Sequence, residues 1–304
     1  MTIKKAVLAL ACFSMGLEAT AAAPENRATG ANTSELSSFI GDGQWGTTLL
    51  GDKLAFGDGA YRAFSRLDAN GIPLSVGVVF HKDTLEGMPG GEGQPMHDGK
   101  TCFDVDGNND IDIHSECVGG HSKTMHFGDN STPFNSITIN WEPHGHIPAG
   151  VYDKPHLDFH FYTASQTERH LITPGPCPGL MNCAQEQEAI VPVPDQYIHP
   201  DYMNTQLAFA HMGNHYVDSL SPELNGGDYT HTFILGAYDG RITFYEPMIT
   251  REFLLTQPNS CFPIKQPQAF QESGYYPQSY CIRYNPWLEH YKVSLEDFQY
   301  QQAW

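Results

Sequence analysis

The run from Tyr229 to Met248 alternates apolar and polar residues on either side of Asp239-Gly240. An Asp-Gly break of two residues inside such a run favours a type I′ turn, so the segment reads as a tight antiparallel hairpin. The same punctuation recurs along the chain. Ala60 to Leu67, the turn Asp68-Ala69-Asn70-Gly71 and Ile72 to Phe80 form a second strand pair, and Ser136 to Trp141 and His156 to Tyr162 follow as short strands. Helical periodicity is scarce, confined to one turn at Asp83-Thr84-Leu85-Glu86 and a short helix within Trp287 to Phe298. Many short strands between Gly, Pro and Asn turns indicate a mainly β chain, an antiparallel β-barrel or sandwich with long loops and few helices.

The N-terminus carries an export signal. Lys4 and Lys5 precede the apolar run Ala6 to Leu17, and Ala19-Thr20-Ala21 supplies the small residues a signal peptidase needs. That run is shorter than the roughly 20 residues of a spanning helix, and no later segment approaches that length, so no membrane span is expected. Residues 1–21 read as signal peptide and 22–44 as a small, polar, flexible leader. Residues 45–255 form the β domain that holds the histidines, and 256–304 an extension rich in Gln, Pro and Tyr. The expected location is periplasmic or secreted.

Cys12 leaves with the signal, and six of the seven cysteines stay. Spacing groups them as Cys102–Cys117, Cys177–Cys183 and Cys261–Cys281, each closing a Gly, Pro or polar loop, with the last pinning the C-terminal extension to the body. Export into an oxidising compartment favours pairing over free thiols. Such bridges typically stabilise by about 2–4 kcal/mol each.

The formal charge is −19, and cleavage removing Lys4, Lys5 and Glu18 leaves it one unit more negative. Such a surface repels nucleic acid and anionic membranes, and suits cations, small molecules or polysaccharide as ligands.

The chemistry concentrates in Trp141 to Tyr162, which contains His144, His146, His156 and His160. In a strand, His156, Asp158 and His160 share one face while Leu157, Phe159 and Phe161 share the other. Residues two apart on a face lie about 7 Å from each other and those four apart about twice that, so His156 and His160 cannot chelate one ion on a regular strand. Either ligands from neighbouring strands complete a site, with His146 swinging in from the preceding loop, or a bulge brings both histidines inward. An edge strand with its apolar face inward and His, Asp, His facing water shows the same alternation. Two further features favour a metal: His215 in Ala210 to Asp218, and Glu246. A regular two-residue hairpin puts Phe233 opposite Glu246, which places Glu246 and His231 on the apolar side with Leu235, Ile242 and Phe244.

Gly145-His146-Ile147-Pro148, Val151-Tyr152, Pro155 to Tyr162, Met212-Gly213-Asn214-His215 and Phe244 to Thr250 together resemble a bacterial family of exported β-proteins classed as a domain of unknown function. The resemblance spans roughly Trp45 to Leu255 and implies no reaction. The histidine pattern is also similar to cupins, in which His-x-His, a Glu and a later His hold one metal inside a barrel. Here the spacing is His-x-Asp-x-His, with no Glu shortly after it.

His146, His156, His160 and His215 are therefore the candidate metal ligands, with Asp158 and Glu246 as candidate catalytic bases. Imidazoles with a carboxylate suit zinc, copper, iron or manganese. Asp104, Asp106, Asn108, Asp110 and Asp112 form an acidic turn that is either a calcium loop or a solvated turn locked by the first disulfide. Two functions remain: an exported metal-dependent hydrolase or oxidoreductase, or a non-catalytic metal- or ligand-binding envelope protein, with a homo-oligomer compatible with both. No Gly-x-Ser-x-Gly elbow or Walker loop competes.

Overall fold

The computed structural model describes residues 33–41, 45–90, 100–111, 116–119 and 121–304. The signal peptide and the first part of the leader lie outside the described residues. Two antiparallel sheets pack face to face as a sandwich, and neither closes into the barrel that a cupin would require.

One sheet has six strands, in the order Thr47–Phe56, Gly59–Leu67, Pro73–His81, His290–Glu296, Ser279–Asn285 and Asn259–Pro263. The other has seven, in the order Tyr202–Phe209, Gly213–Asp218, His231–Tyr238, Arg241–Thr250, His156–Tyr162, Ser136–Glu142 and His121–His126. Between them lies one apolar core. Leu157, Phe159 and Phe161 of the seven-stranded sheet meet Val76, Val78, Phe80 and Val293 of the other, and the Phe80 and Phe159 rings stack 6.4 Å apart. Alternation along each strand supplies these inward residues.

Asp239 and Gly240 have φ of 48° and 70°, as a type I′ turn requires, and Tyr238 pairs with Arg241 across it. The turn at Asp83 is a short 3₁₀ helix, Lys82–Leu85.

Three expectations change. Thr33–Gly41, inside the range read as a flexible leader, is a helix whose Phe39 and Ile40 pack with Phe64 and Val79 on the outer side of the six-stranded sheet. The helix expected within Trp287 to Phe298 is instead the strand His290–Glu296, because Tyr291, Val293 and Leu295 alternate into the core. That strand pairs with Pro73–His81 in the interior of its sheet, so residues 256–304 are not an appendage to a body ending at residue 255. Ala31–Trp304 forms one compact unit.

The three disulfides are Cys102–Cys117, Cys177–Cys183 and Cys261–Cys281. Among the described residues, no helix is long and apolar enough to cross a membrane.

Candidate metal centre

Because Leu157, Phe159 and Phe161 enter the core, His156, Asp158 and His160 project from the opposite face of the seven-stranded sheet. That face is not wet. The strand lies between Arg241–Thr250 and Ser136–Glu142, and His156, Asp158 and His160 are 0%, 3% and 1% exposed. The edge-strand reading therefore fails, since long connections cover the outer face as well.

Register brings further polar groups to this face. Asn140 stands opposite Asp158 and Glu142 opposite His156. On the other side Met248 stands opposite Asp158, while Phe244 pairs with Tyr162, which aligns Glu246 with His160. The hairpin is not regular: Ala237 pairs with Ile242 but Gly236 pairs with Phe244, leaving Thr243 as an extra residue. This one-residue shift turns Glu246 to the outer face, opposite Ile234, and corrects the register that put it beside Phe233 and Leu235. His231 does stay on the inner side, where its Nδ1 lies 2.9 Å from the Tyr280 hydroxyl.

The face carries two sets of three groups, each with ligand atoms within 4.8 Å of one another. The first is His146, His156 and Asp158. His146 is held by an antiparallel bridge to Tyr152 and follows Gly145, whose φ is 74° and where a Cβ would come within 2.0 Å of the Tyr152 carbonyl oxygen. The second set is His160, His215 and Glu246, drawn from three strands, with His160 Nε2 3.2 Å from Glu246 Oε1. His156 and His160 thus fall into different sets, as strand spacing demands.

In the first set the imidazoles are oriented by backbone carbonyls. His156 Nδ1 lies 2.6 Å from the Lys154 oxygen and His146 Nδ1 2.8 Å from the Ile147 oxygen. A carbonyl only accepts, so both Nδ1 atoms donate, and each Nε2 turns toward Asp158: 3.1 Å from Oδ1 for His156 and 3.7 Å from Oδ2 for His146. Despite the short distance, His156 Nε2 and Asp158 Oδ1 do not align as a hydrogen bond, and both are buried without a partner. A carbonyl that accepts from the far ring nitrogen fixes the tautomer of a metal-binding histidine in this way.

The electrostatics follow. Burial raises the Asp158 pKa, but the charges of His156 and His146 outweigh it and hold the carboxyl well below the usual range. Burial lowers the pKa of His146, yet Asp158 and Glu142 raise it above its ordinary value. In the second set burial dominates. It pushes His160 down to about 3 and, with the charge of His146, His215 to about 4. Burial and then the charge of Asp158 push Glu246 well above the carboxylate range.

Both sets border one cavity of about 320 Å³, whose polar wall includes His146, Asp158, His160, His215 and Glu246 and whose apolar wall includes Leu207, Phe209 and Met212. His144 is exposed and belongs to neither set. Asp158 and Glu246, offered by the sequence as bases, each stand within a candidate ligand set.

Several residues of the site carry no motif in the sequence. Tyr229 packs against His156 at 5.4 Å and against Tyr152 at 5.1 Å, and the hydroxyls of both tyrosines are buried without a partner. Glu223 is buried with both carboxylate oxygens unpartnered. Only Tyr152 could have been suspected, from its place next to the His146 loop.

The acidic turn is separate. Asp104 and Asp106 gather with Glu116, while Asp110 is outside that group and Asp112 lies outside the described residues. Asn108 Nδ2 donates to Asp106 Oδ2 at 2.8 Å, and Asn108 Oδ1 accepts from the Asp110 amide. Asp104 accepts from the amides of Gly107 and Asn109, Asp106 from that of Asn108, and Glu116 from those of Val105 and Asp106. The turn caps its own backbone with these oxygens.

The chain matches no protein-family model, no curated protein and no solved structure.

Proposed function

We propose that this protein is an extracytoplasmic metalloenzyme that holds a divalent transition metal through His146, His156 and Asp158 and acts on a small substrate entering the adjacent cavity. The observation that carries the reading is the pair of imidazoles whose Nε2 atoms face one buried carboxylate, each fixed by a carbonyl on Nδ1. Lone pairs opposed to a carboxylate repel, and a cation between them removes that repulsion. Without a metal, Asp158 and Glu142 hold His146 above its ordinary value, so these buried carboxylates favour positive charge at this position.

Two histidines and a carboxylate leave coordination positions for water and substrate, and suit zinc, iron, copper or manganese. The cavity alongside gives those positions somewhere to open. A saturated set with no cavity would favour a storage or structural site. Water activation, and so hydrolysis, is the reaction this donor set supports most directly. The three disulfides support an oxidising compartment.

The test is elemental analysis of the mature protein and of His156→Ala, followed by assays on ester, amide and phosphoester substrates. The expected result is at least one tightly held metal per chain, with one equivalent fewer in the variant and turnover lost. Sub-stoichiometric metal in the parent protein sinks the reading, and full metal without turnover on any class leaves a metal-binding protein that is not a hydrolase.

A further inference from the structure

We propose that His160, His215 and Glu246 form a second divalent-metal site in the same cavity, so that the centre holds two ions. The inference rests on the first site being read as a metal site, and it departs from the role of general base for Glu246, which becomes a ligand.

Three observations carry it. The three side chains come from His156–Tyr162, its neighbour Arg241–Thr250 and, beyond His231–Tyr238, Gly213–Asp218 of the same sheet, and their ligand atoms lie within 4.8 Å of one another. Glu246 is 2% exposed, and among the described residues its one ionic neighbour within 4 Å is His160. A His–Glu pair alone leaves the set poorly satisfied: Glu246 Oε2, His160 Nδ1 and His215 Nδ1 are all buried without a partner. A buried polar atom left unpaired is destabilising, and three in one cluster are more than a purely structural pair accounts for.

The ion is not shared with the first set. The ligand atoms fall into two separate groups, one of His146, His156 and Asp158 and one of His160, His215 and Glu246, and among the described residues no group takes members from both. Both sets nevertheless border the same cavity. Two cations on one wall suit a substrate whose anionic oxygens can reach both, and a water bound to either ion is available for attack.

The probe is Zn(II) alone, titrated into chelator-stripped mature protein with its disulfides intact, with bound zinc counted after dialysis. Two equivalents per chain are expected, falling to one in Glu246→Gln, one in Asp158→Asn and none in the double variant. One equivalent in the parent, lost in Asp158→Asn and kept in Glu246→Gln, overturns the second site and leaves the first. One equivalent lost in both variants means a single shared ion and also overturns it. No zinc in the parent sinks both sites. Circular dichroism monitors the variants, and the parent stoichiometry decides even where a variant fails to fold.

Discussion

Gly236 stands opposite Phe244 across the hairpin, and the Phe244 ring occupies the space a side chain at position 236 would need. A Cβ there would lie 1.8 Å from the ring. The ring in turn lies edge-on to His160 at 4.9 Å and to His215 at 5.3 Å. One phenyl ring, admitted by one glycine, thus wedges two imidazoles that come from different strands.

Gly236→Ala is expected to displace Phe244 and loosen both histidines without touching a ligand. Overpacking of this kind typically costs about 1–3 kcal/mol of stability, and mispositioned ligands weaken metal binding by about 10- to 100-fold. Urea unfolding and zinc titration measure the two effects. Unchanged zinc affinity would remove Phe244 from any part in positioning.

What the sequence revealed of this site follows from period-two geometry. The shared face of His156, Asp158 and His160 and the impossibility of a simple chelate between the two histidines both depend only on strand spacing, which the fold respects. The irregularities were hidden. The extra residue at Thr243 leaves no mark in the alternation of Arg241 to Met248, yet it moves Glu246 from one face to the other. Covering of the outer face by loops was hidden too, because Tyr229 and Glu223 approach through tertiary packing alone. The C-terminal strands were misread for a similar reason: Gln, Pro and Tyr around Cys261 resemble a tail until His290–Glu296 is seen inside the six-stranded sheet.

His231 gives a pH dependence independent of the metal centre. It sits among Phe253, Phe262 and Tyr280, and burial pushes its pKa down to about 4. The unfolded chain holds this proton below about pH 6.5, whereas the folded protein does not until about pH 4. Stability from this group is complete above the unfolded value and is lost as pH falls through the window, by at most about 1.4 kcal/mol per pH unit. His231→Gln keeps an acceptor for Tyr280 and should flatten this part of the profile. Parallel urea midpoints from pH 7 to 4 for parent and variant test it, and identical slopes would contradict the assignment.

Cys261 and Cys281 are directly opposed on paired strands at the edge of the six-stranded sheet, the first exposed and the second buried. Replacing both with serine should cost about 2–4 kcal/mol. The loss should fall on the edge: amide exchange in Asn259–Pro263 should accelerate, while zinc binding on the other sheet is retained. Loss of zinc binding in a variant that still folds would show that the two sheets are more tightly coupled than their separate faces suggest.

Arg169 is 4% exposed, and among the described residues no carboxylate pairs with it. Its guanidinium lies 3.6 Å from the centre of the Tyr162 ring, Nη1 donates to Thr138 Oγ1 at 2.9 Å, and Nε has no partner. Tyr162 stacks in turn on His160, 5.7 Å away and 9° from parallel. The cation–π contact recovers about 2 kcal/mol, while desolvating the charge costs several, so the charge itself is a net expense and the stem supplies the support. Arg169→Met should therefore fold with stability equal to the parent or greater. Arg169→Ala, which removes the stem and leaves a void beneath Tyr162, should lose about 2–4 kcal/mol. Chemical denaturation of both variants separates the two contributions, and a Met variant as damaged as the Ala variant would mean that the charge is what holds Tyr162 against His160.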